Sequence, residues 1–170
     1  MLRVDGISNQ TKEIVEIDEF IPLKIRFDNW DSSKENIYYW RTGDFDNTLF
    51  EIGITSMSHS IHSITIVQGD KNSFEYINYK INSESNIKTY GIPKCNIEKW
   101  EKNRILDESG PFFVYFNEES IVVVFNKERV TQRVVTNGRV EFHIDNENFI
   151  SSIQLNDLSY KEKQFLLEQF

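Results

Sequence analysis

Leu23-Lys24-Ile25-Arg26-Phe27 and Val140-Glu141-Phe142-His143-Ile144-Asp145 alternate apolar and polar side chains residue by residue. A period of two puts one set inward and the other outward, which is the pattern of a half-buried strand. The same reading extends along the chain, to strand candidates at 12–18, 36–42, 48–55, 60–68, 73–81, 112–117, 120–126, 129–136 and 148–155. Turn-forming residues separate them: Gly69-Asp70, Asn137-Gly138 and the run Asn146 to Asn148. Composition points the same way. The chain has no Ala, the best helix former, but 21 Ile, a strong strand former.

Two helices are expected beside these strands. Asn96-Ile97-Glu98-Lys99-Trp100-Glu101 opens on a capping residue followed by acids, with Lys102 and Arg104 near its end, matching the helix dipole. At the C-terminus Ser159 is followed three residues on by Glu162, a capping-box pattern, before Phe165, Leu166 and Leu167. An internal repeat also emerges. Phe50-Glu51-Ile52-Gly53-Ile54 aligns with Val140-Glu141-Phe142-His143-Ile144, and Ile61 to Ile66 aligns with Ile150 to Leu155. The expected fold is therefore mainly β (α+β), an antiparallel sheet or open sandwich in one domain of 170 residues. Two similar hairpin-pair halves, 20–68 and 112–156, would be joined by 83–111, with one internal helix and a C-terminal helix.

A single domain of this length buries enough surface to need neither disulfides nor a structural metal. The charge of −8 excludes nucleic acid as the main partner, because phosphate binding needs clustered Lys and Arg. No stretch approaches the roughly 20 apolar residues that span a bilayer, so no membrane partner is expected. Met1 to Gln10 lacks the apolar core of a signal peptide, and Cys95 is the lone cysteine. A cytoplasmic location follows as the expectation. The 16 Asn and 21 Ile have AT-rich codons, which suits a bacterial source.

Catalytic motifs are missing. No nucleophile elbow, phosphate loop, dinucleotide fingerprint, zinc spacing or calcium loop occurs, so no enzyme activity, metal or cofactor is expected. His59 and His62 stand three apart entering a strand, on opposite faces, and His143 lies on the polar face of its strand; all three read as solvent-facing imidazoles. Cys95, just before a helix start, has no positioned His to activate it. The charge itself is uneven. Residues 1–85 hold 14 acids and 8 bases, net −6, against net −2 for the rest. Two loops carry aromatics among these acids: Asp28-Asn29-Trp30-Asp31, running on to Glu35, and Asp44-Phe45-Asp46. Carboxylates steer a basic protein face and aromatics anchor it, which makes Asp28, Trp30, Asp31, Glu35, Asp44, Phe45 and Asp46 the candidate partner-binding residues. The competing reading is that Asp, Asn and Ser are turn formers and Trp30 a lid on the core. Hairpin geometry sets the two loops at opposite ends of the strand that begins at Ile37.

In size, acidity and lack of catalytic motif, together with those two loops, the chain resembles the immunity proteins of bacterial polymorphic and contact-dependent toxin systems. The resemblance implies a protein partner, a toxin such as a basic nuclease, occluded by a monomer or homodimer. Two other functions compete with it. One is a structural or assembly protein acting as a homo-oligomer. The other is a small hydrolase or ligand-binding domain using His59, His62 or His143.

Overall fold

The stretch Leu23–Phe27 is a strand whose Leu23, Ile25 and Phe27 are buried while Lys24 and Arg26 are not. Around it the computed structural model describes the whole chain except residues 18, 19, 29, 32, 33, 71, 72, 78, 85, 86, 101–103 and 170. Among the described residues, strands make up 53% and helix 7%, so the chain is mainly β. The strands in order are β1 Val4–Ser8, β2 Glu13–Glu16, β3 Leu23–Phe27, β4 Ile37–Gly43, β5 Leu49–Thr55, β6 Ile61–Gln68, β7 Phe74–Glu75 and β8 Lys88–Tyr90. They continue with β9 Ile92–Cys95, β10 Ile105–Ser109, β11 Phe113–Phe116, β12 Ile121–Val124, β13 Arg133–Asn137, β14 Val140–Ile144 and β15 Ile150–Leu155. One helix, α1 Tyr160–Gln169, follows.

Two large sheets result. The first runs β10-β4-β5-β6-β3-β2 and the second β7-β11-β12-β15-β14-β13-β8, with β1 and β9 paired in a small third sheet. Rings from both large sheets meet between them: Phe27 lies 6.1 Å from Phe142, and Phe50 lies 5.6 Å from Phe112 and 5.1 Å from Phe125. The inward residues of both sheets, with Leu2, Val4 and Ile92 from the small sheet, form one continuous core. This is sheet-on-sheet packing. The C-terminal helix starts as its sequence predicts: the Glu162 amide donates to Ser159 Oγ (3.3 Å) and the Ser159 amide donates to Glu162 (2.8 Å). Arg139 donates to the same Glu162 carboxylate, and Leu166 is completely buried, so α1 is fastened at both ends of its contact with the core.

The remaining expectations meet different outcomes. Of the internal helix, the described residues show a single 3-10 turn at Glu98–Trp100, and 101–103 lie outside the described residues. Asn96 does cap that turn through the Glu98 amide. Downstream, however, Ile105–Ser109 is extended and pairs in parallel along β4 from Tyr39 to Gly43. The open edge of β4 offers backbone groups that a helix there would leave unpaired. The candidate at 73–81 shrinks to β7, and β1, β8, β9 and β10 were not expected at all. The two supposed repeat units lie in different sheets and pair differently. The first has the order β4-β5-β6-β3, whereas the second has β11-β12-β15-β14. What they share is the alternation itself.

Candidate functional site

The two large sheets treat their outer faces differently. Across the second, the segment between β7 and β8 crosses from one edge strand to the other, since β7 pairs with β11 and β8 with β13. On the way Tyr79 stacks on Tyr115 at 4.2 Å, nearly parallel, and Asn117 clasps the Tyr79 backbone, accepting from its amide and donating to its carbonyl. Ile81 packs with Tyr115, Val122 and Val124. Further along, the Glu84 amide donates to Thr131 and the Val134 amide to Ile87. Through its described residues the segment forms a strap along this face.

His143 lies on this face of the sheet, between Val134 and Ser152 in register. Its side chain points outward, as its alternation with Phe142 requires, yet it is only 5% exposed, which corrects the expectation of a solvent-facing imidazole. Among the described residues neither ring nitrogen has a hydrogen-bond partner. Glu141 approaches Nε2 only to 3.9 Å and spends its other oxygen on Lys88 at 2.7 Å. Burial pushes the imidazole down to about 4, with Glu141 opposing and Lys88 assisting, so it is neutral at pH 7. Cys95 is likewise a core atom. It is fully buried, and burial pushes its thiol well above the usual range, so no thiolate is available there.

Among the described residues no strap crosses the first sheet. Its outward residues fall into two rows set by strand register. One row reads, strand by strand from β10 to β2, Asp107, Arg41, Glu51, Thr65, Lys24, Glu16. The next reads Ile105, Tyr39, Gly53, Ser63, Arg26, Ile14. Long side chains on β4 and β3 therefore flank small ones on β6, and a trough of about 660 Å³ opens over Ser63 and Thr65. Gly53 has a steric reason: a Cβ there would lie 2.4 Å from Ser63 Oγ and 3.1 Å from an Ile37 methyl.

Charge within the trough is laid out in pairs. Arg41 forms a two-pronged bond to Asp107 (2.7 and 2.8 Å), which holds the Asp107 carboxyl below its usual range. Arg26 is paired with Glu16. Glu51 lies half-buried between them, raised by burial against the pull of Arg41 and Lys24. Among the described residues neither Glu51 nor Lys24 makes a hydrogen bond or ion pair.

Trp30 closes one end. Its ring sits 5.0 Å from His62 and remains 40% exposed, while its Nε1 donates to the Glu35 carbonyl at 3.1 Å. His62 is half-buried rather than solvent-facing, and desolvation lowers its pKa. His59 has a positive φ of 57° and is partly buried in the turn before β6, so it too is not fully solvent-facing.

The seven expected binding residues are thus dispersed. Asp28 and Trp30 border the trough. Asp31 pairs with Lys34 at 2.8 Å, and Glu35 accepts the Met57 amide at 3.0 Å, tying this loop to the β5–β6 turn. Asn29, Ser32 and Ser33 of that loop lie outside the described residues. At the other end of β4, roughly 20 Å away by strand rise, one Asp44 oxygen accepts the amides of Asp46, Asn47 and Thr48 at 2.8–3.0 Å. Those bonds hold its carboxyl far below the usual range, so Asp44 builds the turn, as the turn-former reading has it. Phe45 adopts a φ of 65° and is 39% exposed, and the Asp46 carbonyl accepts from Gln68. Tyr39, Arg41, Glu51 and Thr65 were missed. Their outward parity was readable in the alternation, but not which strands would bring them together.

Among the described residues no cluster of His, Cys, Asp and Glu could hold a metal ion, and no helix is long and apolar enough to cross a membrane. No protein-family model matches the chain, and no curated protein matches it.

Proposed function

We propose that this chain is a bacterial cytoplasmic protein-binding module of the immunity type, which neutralises a toxin by covering part of it, and that the open face of the first sheet is where it binds. The observation that carries this reading is the contrast between the faces. One is sealed by its own chain, whereas the other keeps a trough flanked by Tyr39, Arg41, Lys24 and Arg26 and ended by Trp30. Aromatic and Arg side chains around a partly desolvated centre are the composition of interface hot spots. The net charge of −8 adds long-range steering toward a basic partner. In this reading the chain performs no catalysis and needs no cofactor. Asp28 and Trp30 keep the role expected of them, and Asp44 loses it to the turn.

The test is calorimetric. The product of the adjacent reading frame is titrated with the wild-type chain and with Trp30→Ala and Tyr39→Ala, after thermal melts show that each variant is folded. A 1:1 complex that weakens at least tenfold in both variants supports the reading. No complex, or one indifferent to both substitutions, refutes it.

A second reading has its own observation. All five residues of β10 are exposed, Ile105 and Leu106 among them, and the strand forms an edge of the first sheet. An open edge can pair with another copy, which makes a homo-oligomer. Sedimentation of the isolated chain decides this: a monomer at 100 μM, on the order of the concentration that exposes weak self-association, rules it out.

A further inference from the structure

We infer that the partner's docking segment carries one cationic and one anionic side chain, the cation set against Glu51 and the anion against Lys24. The inference rests on the protein-binding reading above and names the chemistry of the binding segment.

The row from Asp107 to Glu16 holds five charged side chains. Of its charged members, Arg41 and Asp107 satisfy one another through two hydrogen bonds. At the far end Glu16 is taken by Arg26 from the neighbouring row. Glu51 and Lys24 are left, one on each side of Thr65, with no hydrogen bond or ion pair among the described residues. Their backbones stand two strand spacings apart, about 10 Å. They sense one another electrostatically, as the pull of Lys24 on Glu51 shows, but Thr65 lies between them in register.

A half-buried carboxylate without a donor is poorly solvated, and so gains from any cation brought to it. Lys24 makes the complementary demand. A partner bearing only one sign would meet a like charge at the other position, which costs affinity. A backbone separation of about 10 Å lies between the spans of side chains two and four residues apart, which share one face of an extended segment laid across the strands at roughly 3.3 Å per residue. Tyr39 and Trp30 flank that path.

The experiment uses the adjacent-frame product as the probe, at two salt concentrations, against Glu51→Gln, Lys24→Gln and Lys24→Glu. Lys34→Gln, a loop position already paired with Asp31, is the control. Each Gln variant is expected to weaken binding tenfold or more and Lys24→Glu further, with smaller losses at high salt, while Lys34→Gln binds within twofold of wild type. Lys24→Glu changes an outward side chain and keeps the test intact should Glu51→Gln fold poorly. If Glu51→Gln and Lys24→Gln bind like wild type while Trp30→Ala and Tyr39→Ala do not, the trough binds its partner by other means and this inference falls alone. If no complex forms, the protein-binding reading falls and takes the inference with it.

Discussion

Acid should destabilise this protein through one imidazole. His143 is neutral in the folded chain, with a pKa pushed from the ordinary 6.5 to about 4 by burial. Unfolding restores the ordinary value, so between those two pH values the unfolded chain binds a proton that the native chain refuses. Stability therefore falls as pH drops from 6.5, and the loss is complete near pH 4; above 6.5 the group contributes nothing to the slope. At about 1.4 kcal/mol per pKa unit the full effect is about 3 kcal/mol, and most of it is present by pH 4.5. The charged groups near the ring are Glu141, which favours protonation, and Lys88, which opposes it and is already paired with Glu141. Carboxylates elsewhere also titrate in this range, so the measurement is a double difference. Urea unfolding of wild type and His143→Leu at pH 7.5 and 4.5 cancels the contributions they share. The wild type should lose roughly 2–3 kcal/mol more than the variant between the two values. An NMR titration should place the His143 ring well below 6. Equal pH slopes in the two proteins, or a His143 resonance titrating near 6.5, would refute the buried-imidazole account.

Two further substitutions probe the frame that carries the trough. Gly43 ends β4 with a φ of 141°, and a Cβ there would lie 2.1 Å from the Thr48 carbonyl oxygen. Gly43→Ala should cost at least about 2 kcal/mol and lower the thermal midpoint by about 4–8 °C, while Gly110→Ala, which meets nothing nearer than 3.7 Å, should leave it almost unchanged. Leu166 is the fully buried residue by which α1 docks, so Leu166→Ala should cost about 2–4 kcal/mol and speed proteolytic cleavage ahead of Tyr160; Leu167→Ala, at an exposed position, should do neither.

Much of this architecture can be read from local chemistry. Alternation in Leu23–Phe27 and Val140–Ile144 marks strands and states which side chains meet the core, because a strand turns its residues by half a revolution each. Ser159 and Glu162 announce α1 because a capping box needs no distant partner. The region after Asn96 fails for the opposite reason. Its capping residue works, but Ile105–Ser109 is extended by the open edge of β4, more than 60 positions earlier in the chain.

Sites follow the same division. Asp44 was expected as a partner-binding acid and its carboxylate holds the turn, a role equally local that composition alone cannot separate from the first. Alternation by itself determined that Lys24, Arg26, Glu51 and His143 point away from the core. What waits beyond the core was decided by tertiary structure: His143 is buried on the face that the described residues between β7 and β8 cross, whereas Glu51 and Lys24 meet an open trough. A residue's direction depends on its own backbone, but its surroundings depend on which strands lie beside it and what crosses above them. Those are long-range choices, set by the packing of the whole chain.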